Sequence, residues 1–315
     1  MIVTPITLPD MTATSAQAYI SQLRGSVITM IRGIYASPNV YGAWYDPMPS
    51  TTYQDNGAST PSYNGGGSVA YLKDTSGFND NAKQINHANA PTLGQNSLLL
   101  NGSNQFMSSP SGGGSAVGNG SGGFFFCQAF NMTTGNNTNR TLFSDKSTNG
   151  GYQVRINSSN QAEITYGTPS GFGAFAASEI ISLNITYVVM VWGDGKTINI
   201  QVNNDGVATS TATTIYPGTT QFTIGADNNS ASGYFGGTLW SSVYMANTGL
   251  VNNQRQRIKN YCMSKAGVIT KPAGIPGKIG STFVIGQSAL GETVLPAKVP
   301  GKIGSTFTIG QSALS

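Results

Sequence analysis

Apolar residues in this chain change their spacing from one region to the next, and each spacing predicts an element. Ile20, Leu23, Val27, Ile31 and Ile34 recur every three or four residues, an apolar stripe on one face of a helix. Pro5 and Pro9 keep the preceding residues extended. Gly25 and Gly33 weaken the helix, each by about 1 kcal/mol relative to alanine. The plainest expectation is packing on the helix's own domain; the sharper one is docking on a partner, or self-association. Residues 38–108 hold short apolar pieces between turns. From about 122 to 245 the period becomes two, predicting strands at 124–130, 152–157, 162–166, 185–192, 197–202, 221–224 and 237–244. Val188, Val189, Met190 and Val191 are consecutive, so that strand should be covered on both sides. Gly193-Asp194-Gly195-Lys196 supplies the turn that follows it. Residues 253–263 predict a short helix that packs Ile258, Tyr261 and Cys262 on the strands.

No helix of ten to fifteen residues separates these strands, which excludes a doubly wound α/β fold. An all-β chain of two stacked antiparallel sheets fits, each strand giving one row of side chains to a shared core. The tail carries a different signal. Residues 277–290, GKIGSTFVIGQSAL, and 301–314, GKIGSTFTIGQSAL, agree at 13 of 14 positions with a period of 24. Neither copy can bury a core alone, and Ile279, Phe283, Ile285, Phe307 and Ile309 would leave an apolar row in water. Docking on another surface, or adding a strand to a neighbour's sheet edge, is expected. The chain thus divides into an N-terminal arm and attachment helix (1–38), a sandwich (39–268) and a repeat tail (269–315).

Composition narrows the class. Only 9% of the 315 residues are charged and 41 are glycine, a turn-rich bias that excludes coiled coils, while 38% hydrophobic residues exclude charge-driven disorder. Residues 1–254 hold 8 basic and 11 acidic side chains, whereas 255–315 hold 8 basic ones and a single acid, Glu292. That positive end forms no clustered stripe, so nucleic acid is not an expected partner. No window of 18 apolar residues exists to span a membrane. The first ten residues lack the basic and apolar regions of a secretory signal, which predicts synthesis in a cytoplasm.

Reactive chemistry is sparse. His87 is the only histidine, and Glu163 and Glu179, the only glutamates before the tail, stand sixteen residues apart, without the close carboxylate pairing that glycoside hydrolysis needs. No enzyme is expected. One histidine and two isolated cysteines, Cys127 and Cys262, cannot make a zinc site, and both thiols should remain free. Asp194, Asp205 and Asp227 could hold a structural calcium ion, although aspartates at such positions are commonly turn formers. No other cofactor is expected. Trp192 and Trp240 are candidates for a glycan platform or for core caps, and Trp44 should pack against the sandwich edge.

Gly42-Ala43-Trp44-Tyr45-Asp46-Pro47, the turn Tyr53-Gln54-Asp55-Asn56-Gly57, the segment from Lys73 to Ala82 and Pro91-Thr92-Leu93 form a recognisable series. Leu98-Leu99-Leu100-Asn101-Gly102, Phe222-Thr223-Ile224-Gly225 and Phe235-Gly236-Gly237-Thr238-Leu239 extend it. Together they resemble the laminin-G-like, concanavalin A-like jelly-roll domains common in tailed-phage proteins, over about residues 39–268. Phe78 stands where the family has Asn, and Asn101 where it has an acid. The resemblance implies a jelly-roll sandwich used to recognise glycans or proteins, and in phages a head-decorating, fibre or tail component. A non-enzymatic structural protein at the virion surface is therefore expected, partnered by capsid or tail proteins. It should form a homo-oligomer, with a trimer suited to fibres and three-fold positions. The alternative is a receptor-recognition protein that binds surface glycans.

Overall fold

The computed structural model describes residues 13–109, 123–135, 138–147, 150–193, 197–211, 218, 221–227 and 232–269, with the backbone of Phe283–Ile285 and Thr308–Ile309. Two antiparallel sheets stack face to face. The first runs, in spatial order, Ala208–Ser210, Ile198–Val202, Thr186–Gly193, Phe124–Met132, Gly236–Ala246, Leu98–Asn101 and Thr92–Leu93. Tyr41–Tyr45 shares the far end of Gly236–Ala246, so that one long strand pairs with two short ones along the same side. The second sheet runs Gly171–Ile180, Gln161–Thr168, Tyr152–Ile156, Arg140–Ser144, Thr223–Ile224, Met107–Ser108, Ala82–Lys83, Tyr71–Leu72 and Thr52–Tyr53.

Alternation along the strands fills the space between the sheets. Phe124, Phe126 and Phe130 meet Phe143, Tyr152, Phe222 and Tyr244, with Phe143 and Tyr244 stacked at 4.6 Å. Each such side chain contributes about 1.5–3 kcal/mol on burial. The opposite row of the first sheet, Phe125, Cys127, Ala129, Val188, Met190, Val243 and Met245, is also buried. Two helices cover it, α1 (Ala13–Tyr35) and α2 (Asn252–Lys265). The run Val188–Val191 is thus enclosed on both sides, as its unbroken apolar character predicts.

The attachment helix needs correction. Val27, Ile31 and Ile34, expected at a partner's surface, are buried in the chain's own second core, at 7%, 0% and 8% exposure. Their stripe meets the apolar outer row of the first sheet, so the plainer expectation holds. The Tyr35 hydroxyl lies 2.9 and 2.8 Å from the carbonyl oxygens of Ala43 and Tyr244, which pins the end of α1 to the sheet. Ile20 and Leu23 lie on α1, where the side chains are described only from Arg24 onward. Gly25 and Gly33 face solvent. Gly42 is needed where it stands: at φ 143° a Cβ there would lie 1.9 Å from the Tyr244 carbonyl oxygen, blocking the pairing of Tyr41–Tyr45 with Gly236–Ala246.

Much of the positive charge late in the chain serves α2. Arg255 lies 4.7 Å over the Trp192 ring, Arg257 donates to Ser26, and Lys265 meets Asp46 at 3.0 Å. Lys259, almost fully buried, donates to Asn203 O at 2.7 Å and Asn204 Oδ1 at 2.9 Å. In the tail, Val268–Ile269 pairs antiparallel with Phe283–Ile285, which pairs parallel with Thr308–Ile309. Of the expected docking residues, Phe283, Ile285 and Ile309 lie on these strands, and Ile279 and Phe307 lie outside the described residues. No helix among the described residues is long and apolar enough to cross a membrane.

Candidate functional site

Helices cover the first sheet; among the described residues none covers the outer face of the second. On Tyr152–Ile156 and Gln161–Thr168 the residues Tyr152, Val154, Ile156, Ile164 and Tyr166 point into the core. Alternation therefore turns Gln153, Arg155, Glu163 and Thr165 outward. These four meet across the strands, since Gln153 pairs with Thr165 and Arg155 with Glu163 in direct register. Gln153 Nε2 donates to Thr141 Oγ1 at 2.8 Å, and Thr165 Oγ1 donates to Gln153 Oε1 at 3.3 Å. The result is a continuous polar row whose orientations are fixed by its own hydrogen bonds.

A cleft of about 400 Å³ opens beside this row, with Gln153 and Arg155 in its lining and Glu163 behind Arg155, a volume within the usual range of ligand sites, about 300–1,000 Å³. Thr141 and Gln153 are buried in its lining, joined by Arg155, Asn139, Asp227 and Tyr234. The chain doubles back beside the floor at 232–234 and forms its rim, where Thr141 N donates to the Gly233 carbonyl at 2.8 Å and Asp227 bridges to Ser232. Tyr234 packs on Phe106 with ring centroids 6.1 Å apart, so an aromatic ring stands among amides and hydroxyls.

Charges on this face come in pairs. Arg155 Nε donates to Glu163 Oε1 at 2.7 Å, and Nη2 lies 2.5 Å from the same oxygen. Glu163 Oε2 accepts from Asn157 Nδ2 at 3.1 Å. Asp227 Oδ1 accepts from Ser144 Oγ at 3.2 Å, and Lys146 Nζ lies 4.0 Å from Asp227 Oδ2 while standing over the Phe172 ring. Arg140, only 1% exposed, directs its nitrogens at the carbonyl oxygens of Thr138, Thr134 and Asn157, at Asn160 Oδ1 and at Met132 Sδ. Its desolvation lowers its pKa from the usual arginine value.

The expected glycan platforms lie elsewhere. Trp240 is 8% exposed in the core beneath the helices, and Trp192 packs half-buried against the same core under Arg255. A bulge between Leu239 and Ser242 explains Trp240, because it interrupts the strict alternation and turns that ring to the helix side. Neither ring is presented as an open surface. Trp44, on the Tyr41–Tyr45 strand, is buried against Tyr261 of α2.

Asp205 accepts from Ser178 Oγ at 3.0 Å, Asp227 belongs to the cleft, and Asp194 lies outside the described residues. Among the described residues no group of three His, Cys, Asp or Glu could hold a metal ion. His87 is exposed on a single 3-10 turn, His87–Asn89. Cys127 and Cys262 are free, buried thiols brought together where α2 meets the first sheet, and burial pushes the Cys262 thiol up. Asn101, standing where the resembling family has an acid, accepts the backbone N–H groups of Ser103, Asn104 and Gln105 through its side-chain oxygen, which shapes the loop without a charge.

The period-two spacing of 152–157 and 162–166 turns Gln153, Arg155 and Glu163 outward, and no motif in the sequence marks them as a site. The fold-back at 232–234, which makes the face a cleft, carries no motif that would have announced it.

No protein-family model matches the sequence, and no curated protein matches it. Solved structures do. A GH54 α-L-arabinofuranosidase superposes with a TM-score of 0.52 at 10% identity, over 75% of this chain and 65% of that one. A Trypanosoma rangeli sialidase in complex with the inhibitor DANA gives 0.48 at 12% identity, over 77% and 38%. The CBM40 of a Ruminococcus gnavus IT-sialidase bound to α2,3 sialyllactose gives 0.38 at 11% identity, over 46% and 93%. At such identities the likeness concerns architecture alone, and only the first is close enough to bear on it. The chain is an antiparallel two-sheet β sandwich.

Proposed function

We propose that this chain is a carbohydrate-binding module without catalytic activity, and that it holds saccharide in the cleft on the outer face of the second sheet. The observation that carries the reading is the cleft itself: amide, hydroxyl and carboxylate groups converge beside the Tyr234 ring on a floor held rigid by its own hydrogen bonds. A saccharide presents hydroxyl groups around an apolar ring face, and such a lining satisfies both. The carboxylates Glu163 and Asp227 each stand beside a cation, an arrangement suited to accepting hydrogen bonds. A glycosidase with this sandwich makes carbohydrate the first ligand class to test. An oligosaccharide array probed with the purified chain should show saturable binding. Asn139→Ala and Tyr234→Ala should each weaken that binding at least tenfold without changing the melting temperature by more than a few degrees. An array on which no saccharide binds would overturn the reading.

The repeat tail favours a second role. Phe283–Ile285 and Thr308–Ile309 occupy equivalent positions of the two copies, and they pair with Val284 opposite Thr308 and Ile285 opposite Ile309. Repeats that add strand to strand suit an element of a larger assembly, such as a virion component attached through its tail.

A further inference from the structure

We infer that the Arg155–Glu163 pair commits the cleft to neutral saccharides, with Glu163 the residue that determines specificity by cancelling the guanidinium charge. The inference rests on the saccharide reading of the cleft and adds the class of sugar. Acidic sugars are ordinarily captured by an arginine that offers its planar fork to the ligand carboxylate. Here the fork is already occupied. Arg155 Nε and Nη2 both face Glu163 Oε1, at 2.7 and 2.5 Å, and Nη1 reaches Gln153 Oε1 at 3.4 Å. Direct cross-strand register holds the two side chains opposite each other, and Asn157 steadies the far carboxylate oxygen at 3.1 Å.

The neighbouring charges give an anion no better purchase. Lys146 faces Asp227 at 4.0 Å. Arg140 is sealed beneath the chain with its nitrogens turned to carbonyl, amide and sulfur partners. A sugar carboxylate entering the cleft would meet Asp227 in its lining and an Arg155 whose charge Glu163 already balances. A neutral sugar meets no such repulsion, and its hydroxyls can donate to the same carboxylate.

The test is a panel of neutral oligosaccharides, each paired with its sialylated derivative, titrated against the wild-type chain and Glu163→Gln. The substitution keeps the side chain's shape and an acceptor for Arg155 while removing the charge. The wild type should bind neutral members roughly tenfold tighter than their sialylated partners, and Glu163→Gln should move that ratio towards the acidic sugars by a further tenfold. Removing both charges, in Arg155→Gln combined with Glu163→Gln, should restore the preference for neutral sugars. Sialylated sugars bound as tightly as neutral ones by the wild type, or a ratio that Glu163→Gln leaves unmoved, would overturn the inference while the saccharide reading stands. A wild type that binds neither class would remove both.

Discussion

Single side chains already set conditions on this protein. Asp145 is fully buried beside the Tyr152 backbone, whose N–H it accepts at 2.6 Å. Burial pushes its carboxyl from 3.8 up to about 7, against the pull of that hydrogen bond. Asp80 moves in the same direction, to about 6, through burial and then the charge of Asp74. A carboxyl raised in the folded state binds more protons there than in the unfolded chain, so its stability contribution is complete below about pH 4 and fades as pH rises through the folded value. The chain should therefore lose stability between about pH 4 and pH 7, with Asp145 accounting for about 2–5 kcal/mol. Asp145→Asn retains an acceptor for Tyr152 and loses the titration. Denaturant midpoints from pH 4 to 8 should show a smaller decline in that variant, ending lower, near the folded value of Asp80 at about 6. Nothing in the sequence marks Asp145 as different from a surface aspartate, because its burial depends on strands far along the chain.

Helices and strands differ in how much of them the residue pattern reveals. The three- and four-residue spacing in α1 fixes which face is buried and is silent about what buries it, since an apolar stripe looks the same beneath a partner as beneath its own sheet. Ile31→Ala separates the two cases. With the side chain fully enclosed by its own domain, the substitution should cost the isolated chain about 2–5 kcal/mol in chemical denaturation; a helix awaiting a partner would register almost no change. The hairpin strands Thr186–Gly193 and Ile198–Val202 were legible because their alternation is clean. Gly171–Ile180 was not, since Gly171-Phe172-Gly173-Ala174 and the alanines after it give a weak period-two signal, and its place is set by pairing with Gln161–Thr168. The polar residues of the second sheet were legible as a face, and only the fold-back beside them shows that the face is concave.

At the scale of the whole molecule, every described core residue of the sandwich and its two helices lies at or before Val268. Deleting residues 270–315 should leave the melting temperature within about 2 °C and saccharide binding intact, while abolishing any association that the repeats support. Calorimetry and sedimentation of the two chains would check each half of that expectation. The sequence pointed to a sandwich flanked by segments with separate duties, and the structure moves the first helix from flank to core. That placement also gives the body a back and a front. Both helices, α1 and α2, pack on the same side of the sandwich, while the polar cleft occupies the opposite side. A support joined to the body at α1 or α2 would therefore lie behind it, with the cleft facing away.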